Sequence, residues 1–145
     1  MPNVKWDRRF LKLASHIAQW SKDPSTRMGA VIVRPDRTIA SVGFNGFPRG
    51  MSDDYRLYSD REIKYDRIIH CEMNAVLSAG ESVKGYTLYT WPAASCSRCA
   101  IHMIQAGISR VVFPVIPDHL KVRWNAPLKE AKKYFEEAGV GWTEV

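Results

Sequence analysis

The spacing of apolar side chains changes from helical to strand-like within the first third of the chain. Over residues 6–20 the apolar positions recur at intervals of three and four, which predicts an amphipathic helix that ends near Asp23 and Pro24. Residues 29–33 and 38–44 have the pattern of strands, and the turn between them contains a Pro-Asp pair. We therefore expect one helix followed by a β-hairpin.

Beyond this hairpin, the pattern alternates between helix and strand. Helical spacing that stops at a glycine covers residues 70–79, 96–106 and 127–138. Strand-like segments are residues 86–91, 110–115 and 142–145. The polar stretch 45–67 is too long for a plain connection, so we expect it to be functional, partly helical, or both. The alternation predicts one α/β domain over residues 1–145.

Two short clusters carry side chains that bind transition metals. His70 and Glu72 open one predicted helix, and Cys96 and Cys99 open another. Residues three apart share a helix face, so both sulfurs can reach one ion, and the helix N-terminus favours their ionised form. Structural zinc normally has four protein ligands, whereas His70, Cys96 and Cys99 make three. The clusters therefore predict a catalytic zinc site with an open fourth position.

Glu72 is expected to act on water and not as a second ligand, because its two-residue distance from His70 does not favour ligation by both from a regular helix. Zinc lowers the pKa of a bound water from about 16 towards roughly 7, and a nearby carboxylate can take that proton. The carboxylate can pass it to a ring nitrogen while the amino-bearing carbon is attacked, and then help ammonia leave. This chemistry is hydrolytic deamination.

A closed structural zinc site is the alternative to a catalytic one. His16, His102 and His119 are the side chains that could in principle supply a fourth ligand. His102 lies six residues after Cys96, a poor match to the same helix face, and His16 belongs to the first predicted helix. A zinc-stabilised binding module would also leave Glu72 without a task.

Further segments extend the match to a known pattern over nearly the whole chain. They are residues 22–26, 29–33, GFNGFPRG at 43–50, Lys64-Tyr65, HCEMNA at 70–75 and IQAGI at 104–108. The zinc-deaminase signature itself is His-x-Glu followed by Pro-Cys-x-x-Cys. Together these segments resemble the deoxycytidylate (dCMP) deaminases of the cytidine deaminase superfamily.

The resemblance implies a three-layer α/β/α fold around a central mixed five-stranded sheet. It implies conversion of dCMP to dUMP and ammonia, which would supply dUMP for thymidylate synthesis, with one Zn²⁺ on His70, Cys96 and Cys99 and with Glu72 as the catalytic residue. It also implies a homo-oligomer, often hexameric, that is activated by dCTP and inhibited by dTTP. Mg²⁺ would accompany a triphosphate effector.

The resemblance also suggests which side chains contact the nucleotides. Asn45 precedes a glycine, which is a turn signal, and the resemblance implies that it also contacts the substrate. Cationic side chains can hold a phosphate and aromatic ones can stack on a pyrimidine, although surface charge and core packing are the ordinary roles of both. The residues expected at the substrate are Arg27, Asn45, Tyr65, Trp91 and Ser95. Those expected at the effector are Gly43, Asn45, Gly46, Arg49 and Lys64.

Two positions depart from the family pattern. Three residues separate Pro92 from Cys96, where the family has proline directly before the cysteine, and Cys71 stands where alanine is common. Ser95 can cap the helix that follows. We therefore expect the altered stretch to change the loop that lines the base pocket and to leave the ligands in place. Arg123 and Trp124 could approach the pocket or a neighbouring subunit.

Composition narrows the class of partner. The chain has 145 residues and a formal net charge of +6, which favours an anionic ligand. Its basic residues are scattered and form no nucleic-acid-binding tail. No apolar run approaches a membrane span or a signal peptide, which predicts a cytoplasmic protein. We expect a free nucleotide as the substrate; the rival is a deaminase that acts on tRNA adenosine or single-strand cytosine.

Overall fold

Six helices and five strands lie within residues 3–145, the part of the chain that the computed structural model describes. The helices are α1 (Val4–Ala18), α2 (Tyr55–Ser59), α3 (Arg61–Arg67), α4 (Cys71–Ser78), α5 (Ser97–Ala106) and α6 (Asp118–Glu137). The strands are β1 (Gly29–Val33), β2 (Ile39–Phe44), β3 (Thr87–Trp91), β4 (Arg110–Phe113) and β5 (Gly141–Glu144). Within these residues, no helix has both the length and the apolar character that crossing a bilayer would require.

The strands form one sheet in the order β2-β1-β3-β4-β5. β1 pairs antiparallel with β2 and β3, whereas β3, β4 and β5 run parallel to one another. Successive side chains of a strand point to opposite faces, so Val31 and Val112 pack with α1, while Ile32 and Val111 join the core formed with α4, α5 and α6. The predicted three-layer fold around a mixed five-stranded sheet is confirmed.

Most of the predicted elements lie where the apolar spacing placed them. The hairpin is formed by β1 and β2, and residues 45–67 contain α2 and α3, so this stretch is partly helical as expected. The helices predicted from residues 70 and 96 begin at Cys71 and Ser97. Because α4 also packs against α5, the two metal-binding clusters are brought to neighbouring helix N-termini.

The predicted start of the last helix was wrong, since α6 begins at Asp118 and not at Pro127. Proline is favoured in the first turn of a helix, but Pro127 lies in the interior, where it cannot donate to the carbonyl of Arg123. Leu120 before it and Leu128 after it are both buried in the main core. Packing on both sides of the proline therefore offsets the missing hydrogen bond.

Gly43 allows β2 and α4 to approach closely. A Cβ added at Gly43 would lie 2.4 Å from the backbone nitrogen of Ala75 and 2.5 Å from the carbonyl oxygen of Cys71. Both atoms belong to the helix backbone, so neither can move without displacing α4. The packing of α4 against the sheet, and hence the position of His70 at its start, depends on this glycine.

Gly43→Ala is therefore expected to lower the free energy of unfolding by about 1–3 kcal/mol, the usual cost of overpacking. Denaturant unfolding measures this loss. Gly141→Ala is the matched control, because a Cβ there would meet its nearest atoms only at 3.8 and 3.9 Å. Equal stability of the two variants would contradict the packing role of Gly43.

Candidate metal centre

Three potential metal ligands converge where α4 and α5 begin. His70 is the N-cap residue of α4, Cys96 is the N-cap residue of α5, and Cys99 lies in the first turn of α5. The His70 Nδ1 atom is 3.2 Å from the Cys99 Sγ atom and 3.5 Å from the Cys96 Sγ atom. All three ligand atoms lie within 4.8 Å of one another. Tertiary packing thus joins donors from two distant parts of the chain.

These separations fit zinc. With Zn–S bonds of about 2.3 Å and Zn–N bonds of about 2.0 Å, tetrahedral coordination places sulfur and nitrogen roughly 3.5 Å apart. Thiolate and imidazole are also the donors that zinc prefers. No fourth His, Cys, Asp or Glu joins the group anywhere in residues 3–145, and the His102 ring lies against the Arg98 carbonyl oxygen instead. The donor set is therefore the three-ligand kind that leaves one position open.

Hydrogen bonding within the cluster favours the thiolate form of Cys96, which is the form that binds a metal. Hydrogen bonds from the Cys99 thiol and from the His70 ring lower the pKa of the Cys96 thiol to about 4. Hydrogen bonding to the Cys96 sulfur in turn raises the pKa of His70 and the pKa of Cys99. The proton between the two sulfurs therefore stays on Cys99. Metal binding must therefore release that proton, as expected for a thiolate site.

Glu72 lies in the first turn of α4 with only 2% of its surface exposed. Its Oε1 atom accepts a hydrogen bond from the Cys71 thiol at 2.6 Å. Cys71 is fully buried, and burial raises the pKa of its thiol, so the group stays protonated and remains a donor. The cysteine that replaces the common alanine is thus a hydrogen-bond partner of the predicted catalytic carboxylate.

A cavity of about 190 Å³ lies beside the cluster, and His70 is the metal ligand that lines it. It is bounded by the loop before β1, the end of β2, α3, the start of α4 and the first half of α6. Its lining residues are Asp23, Ser25, Thr26, Met28, Asn45, Lys64, Tyr65, Ile68, His70, Cys71, Arg123 and Trp124. The arrangement suits a small molecule held beside a metal ion.

Residues 4–115 match the family model for the cytidine and deoxycytidylate deaminase zinc-binding region, and this span includes the three metal donors and Glu72. The chain belongs to this family. It is 41% identical to an "Uncharacterized deaminase in luxG 3'region" of Aliivibrio fischeri, over 94% of this chain and 90% of that protein. It is 38% identical to the deoxycytidylate deaminase of Mus musculus over 76% of this chain, and the match spans 65% of the mouse protein.

The fold of this deaminase-family enzyme is also that of a solved structure. The dCMP deaminase of cyanophage S-TIM5, crystallised with dCMP and dUMP, superposes with a TM-score of 0.74 and covers 100% of both chains. Sequence identity to it is 19%, so this likeness concerns the fold alone. The deaminase-like fold predicted from the sequence is thus confirmed independently of the residues that carry the chemistry.

Asn45 lines the cavity, but its amide is largely engaged by protein. Its Nδ2 atom donates to the Thr26 carbonyl oxygen at 2.9 Å and to Asp23 Oδ2 at 3.2 Å, and its Oδ1 atom accepts from the Met28 backbone N–H at 2.9 Å. One lone pair of Oδ1 is left for a ligand. These hydrogen bonds hold the loop before β1 against the end of β2.

Lys64, a predicted effector ligand, lines the same cavity and is already paired. Its Nζ atom lies 3.2 Å from Asp23 Oδ1 and 3.2 Å from Ser25 Oγ. The Lys64 and Asp23 side chains are only 6% and 7% exposed. Sequence reasoning missed Asp23 as a cavity residue, and its only signal was a place in the KDPST segment of the family pattern.

Lys64→Met is expected to lower the free energy of unfolding by about 3 kcal/mol, because the buried Asp23 carboxylate loses its charged partner and keeps only neutral hydrogen-bond donors. The double variant Asp23→Asn with Lys64→Met should regain part of that loss, since no buried charge remains. Unfolding by urea measures both values. A double variant less stable than Lys64→Met would contradict this account.

Two of the residues expected at the substrate, Trp91 and Ser95, are not among the residues that line this cavity. Trp91 packs with α1 and lines a separate groove with Arg8 and Val145. In β3, Tyr89 and Trp91 share one face because side chains alternate along a strand, and that face is turned towards α1. The structure thus corrects the prediction that Trp91 lies beside the base, since its side chain is on the α1 face of the sheet.

Ser95 is also corrected, because it does not cap α5. The cap is Cys96, whose sulfur accepts from the backbone N–H of Cys99 at 3.5 Å. Ser95 is buried, and its hydroxyl has no hydrogen-bond partner within residues 3–145.

The remaining predicted residues separate into two regions. Tyr65 lines the cavity with 55% of its surface exposed, whereas Arg27 is exposed and is not among the lining residues. Gly43, Gly46 and Arg49 line a second groove, between β2 and α4. The candidate effector residues therefore divide between this groove and the metal-site cavity, which holds Asn45 and Lys64.

Proposed function

We propose that this protein catalyses the hydrolytic deamination of dCMP to dUMP and ammonia in the cytoplasm. The observation that carries the proposal is a three-ligand Cys2His cluster whose His70 lines a cavity, with the buried carboxylate of Glu72 close enough to act electrostatically on His70 and Cys99. The mouse relative, which is named a deoxycytidylate deaminase, supports this substrate. So does the cyanophage fold relative, which was crystallised with dCMP and dUMP.

Each residue of the cluster has a defined task. His70, Cys96 and Cys99 would hold Zn²⁺, which supplies an activated water when bound. Glu72 would accept a proton from the water as the water oxygen bonds to the amino-bearing carbon, and it would deliver that proton to the adjacent ring nitrogen. It would then move the proton of the new hydroxyl group to the amino group, so that the carbon–nitrogen bond breaks and ammonia leaves as the carbonyl of the product forms. Cys71 orients the carboxylate by donating its thiol proton to Oε1 in a hydrogen bond.

The proposal extends to regulation and assembly. The groove lined by Gly43, Gly46 and Arg49 is separate from the cavity, so dCTP could bind there as an activator and dTTP as an inhibitor. The groove lining includes no carboxylate, and Mg²⁺ at this place would be held by the triphosphate alone. A homo-oligomer, hexameric as the resemblance implies, completes the proposal. Light scattering with and without each effector tests it.

Substrate profiling tests the activity. Zinc-loaded protein is incubated with dCMP, deoxycytidine, dCTP or a tRNA stem-loop, and ammonia release is followed. We expect the highest kcat/KM for dCMP. Ammonia release from the stem-loop alone would replace the free nucleotide with a nucleic-acid substrate, and release from none of them would overturn the proposal.

A further inference from the structure

The exposed side of α1 carries a row of cations, which we call the basic stripe. It consists of Lys5, Arg8, Arg9 and Lys12, all exposed and each three or four positions from another. At 3.6 residues per turn, the four fall within roughly 100° of the helix circumference and about 10 Å of its length. Within residues 3–145, none of the four side chains forms a salt bridge. The stripe is therefore a surface of one charge.

The stability of α1 does not explain this arrangement. Like charges three or four residues apart on a helix repel one another, and a cation in the first turn, such as Lys5, opposes the helix dipole. The acid of the same turn, Asp7, is 1% exposed and pairs with Arg110 at 2.6 Å, so it does not neutralise the stripe. A charge pattern that costs the helix stability indicates an anionic partner.

Aromatic rings lie at both edges of the basic stripe. The guanidinium carbon of Arg9 is 4.7 Å from the centroid of the Trp6 ring, and that of Arg37, from the turn between β1 and β2, is 5.3 Å from it. At the other edge, Arg8 and Lys12 line a groove of about 250 Å³. The groove lining also includes Leu11, Ser15, Trp91, Pro114 and Val145, and Trp91 is only partly buried.

We propose that the basic stripe and this groove bind single-stranded nucleic acid. The four cations neutralise phosphates along the backbone, and an unpaired base enters the groove and stacks on Trp91. Proteins that bind single strands without regard to sequence combine these two features, a cationic track and aromatic rings beside it. The net charge of +6 attracts such a strand to the protein before it contacts the stripe.

A membrane surface fits α1 less well than a nucleic acid. A helix that lies on a bilayer buries its apolar face among the lipids, but in α1 that face is packed on the sheet, where Phe10, Leu11 and Ala14 are buried with Val31 and Val112. The strand would have to be held through charge and stacking alone, and the stripe and groove offer both.

The proposed strand-binding surface is separate from the deaminase site. α1 packs on one face of the sheet, whereas α4 and α5, which position the metal ligands, pack on the other. The inference therefore goes beyond the proposed function and does not rest on it. A strand bound to α1 is a partner of the protein and not the molecule that is deaminated in the cavity.

Fluorescence anisotropy of a labelled oligothymidylate of about 20 nucleotides tests the proposal with zinc-loaded protein. The double variant Arg8→Gln with Lys12→Gln should weaken binding by about 10- to 30-fold near 0.1 M salt, because two phosphate contacts and their counterion release are lost. The slope of log K against log salt should become shallower by about 1.4, or roughly 0.7 for each contact. Arg8→Lys with Lys12→Arg keeps both charges and should bind within about threefold of the wild type.

The control pair is Lys129→Gln with Lys133→Gln, which removes two exposed cations four residues apart on α6. It lowers the net charge equally and should change neither the affinity nor the salt slope. Equal weakening by the two pairs would overturn the inference, because net charge and not the stripe would then hold the strand. Unchanged binding by the Arg8 and Lys12 variant would overturn it as well.

Two further ligands test the chemistry of the partner. A strand of the same length without bases should bind at least about fivefold more weakly, because stacking on an aromatic ring adds to the affinity. Equal binding of this strand would overturn the role of the groove. Wild-type protein that binds vesicles of phosphatidylserine and phosphatidylcholine but not the oligothymidylate would replace the nucleic acid with a membrane. None of these measurements depends on ammonia release, so the proposed function can fail without them.

Discussion

Glu72→Gln should reduce kcat for dCMP by about a thousandfold, within the range of 10²–10⁴ that positioned proton transfer contributes. Glutamine has the shape of glutamate and can still accept the Cys71 hydrogen bond, but it cannot take a proton from water. Because Glu72 is buried and is not one of the three converging donors, the variant should fold and bind one zinc ion. Steady-state kinetics together with elemental analysis of zinc separate the two effects.

The control for this variant is Glu62→Gln, an exposed carboxylate in the first turn of α3. It changes the charge of the protein by the same amount and should leave kcat within about twofold. If Glu72→Gln retained wild-type kcat at full zinc occupancy, another group would have to carry the proton.

Cys99→Ala is expected to abolish both zinc binding and turnover. The side chain is 4% exposed and contributes one of the three donors that converge within residues 3–145, so its loss leaves two ligands from different helices. Binding at a free zinc concentration a thousandfold above Kd adds about 4 kcal/mol to stability. For a chain of this size, that is roughly 10 °C in Tm. The variant should therefore melt near the temperature of the chelator-treated wild type.

Differential scanning calorimetry and zinc content measure this outcome. Cys71→Ala is the matched cysteine variant for metal content, since Cys71 is fully buried but is not one of the three donors. It should keep one zinc ion per chain. Full zinc occupancy in Cys99→Ala would refute the three-ligand site.

Local patterns accounted for most of the elements. The helix starts at Cys71 and Ser97 followed from apolar spacing and from the glycines that end each run, and these signals lie within a few turns of one another. The start of α6 did not follow from this spacing. Its first half is held by the burial of Leu120 in a core that the local pattern around Pro127 does not reveal.

The parts of the candidate site that could be predicted are those formed by residues close together in the sequence. The spacing of Cys96 and Cys99, and that of His70 and Glu72, pointed to zinc and a base because each pair lies on one helix start. Trp91 was placed incorrectly because a strand's alternation defines two faces without saying which one meets the site.

The sequence by itself determined the ligand types, the order of helices and strands, and the family resemblance, because these depend on residues close together in the chain. Only the tertiary structure decided which distant groups meet. It brings His70 close to the two cysteines, pairs Lys64 with Asp23 in a buried salt bridge, and places Arg123 at the cavity. His70 and Cys99 are 29 positions apart in the chain, and Lys64 and Asp23 are 41 positions apart. The distances between such residues are set by the packing of whole helices on the sheet, which no local spacing encodes.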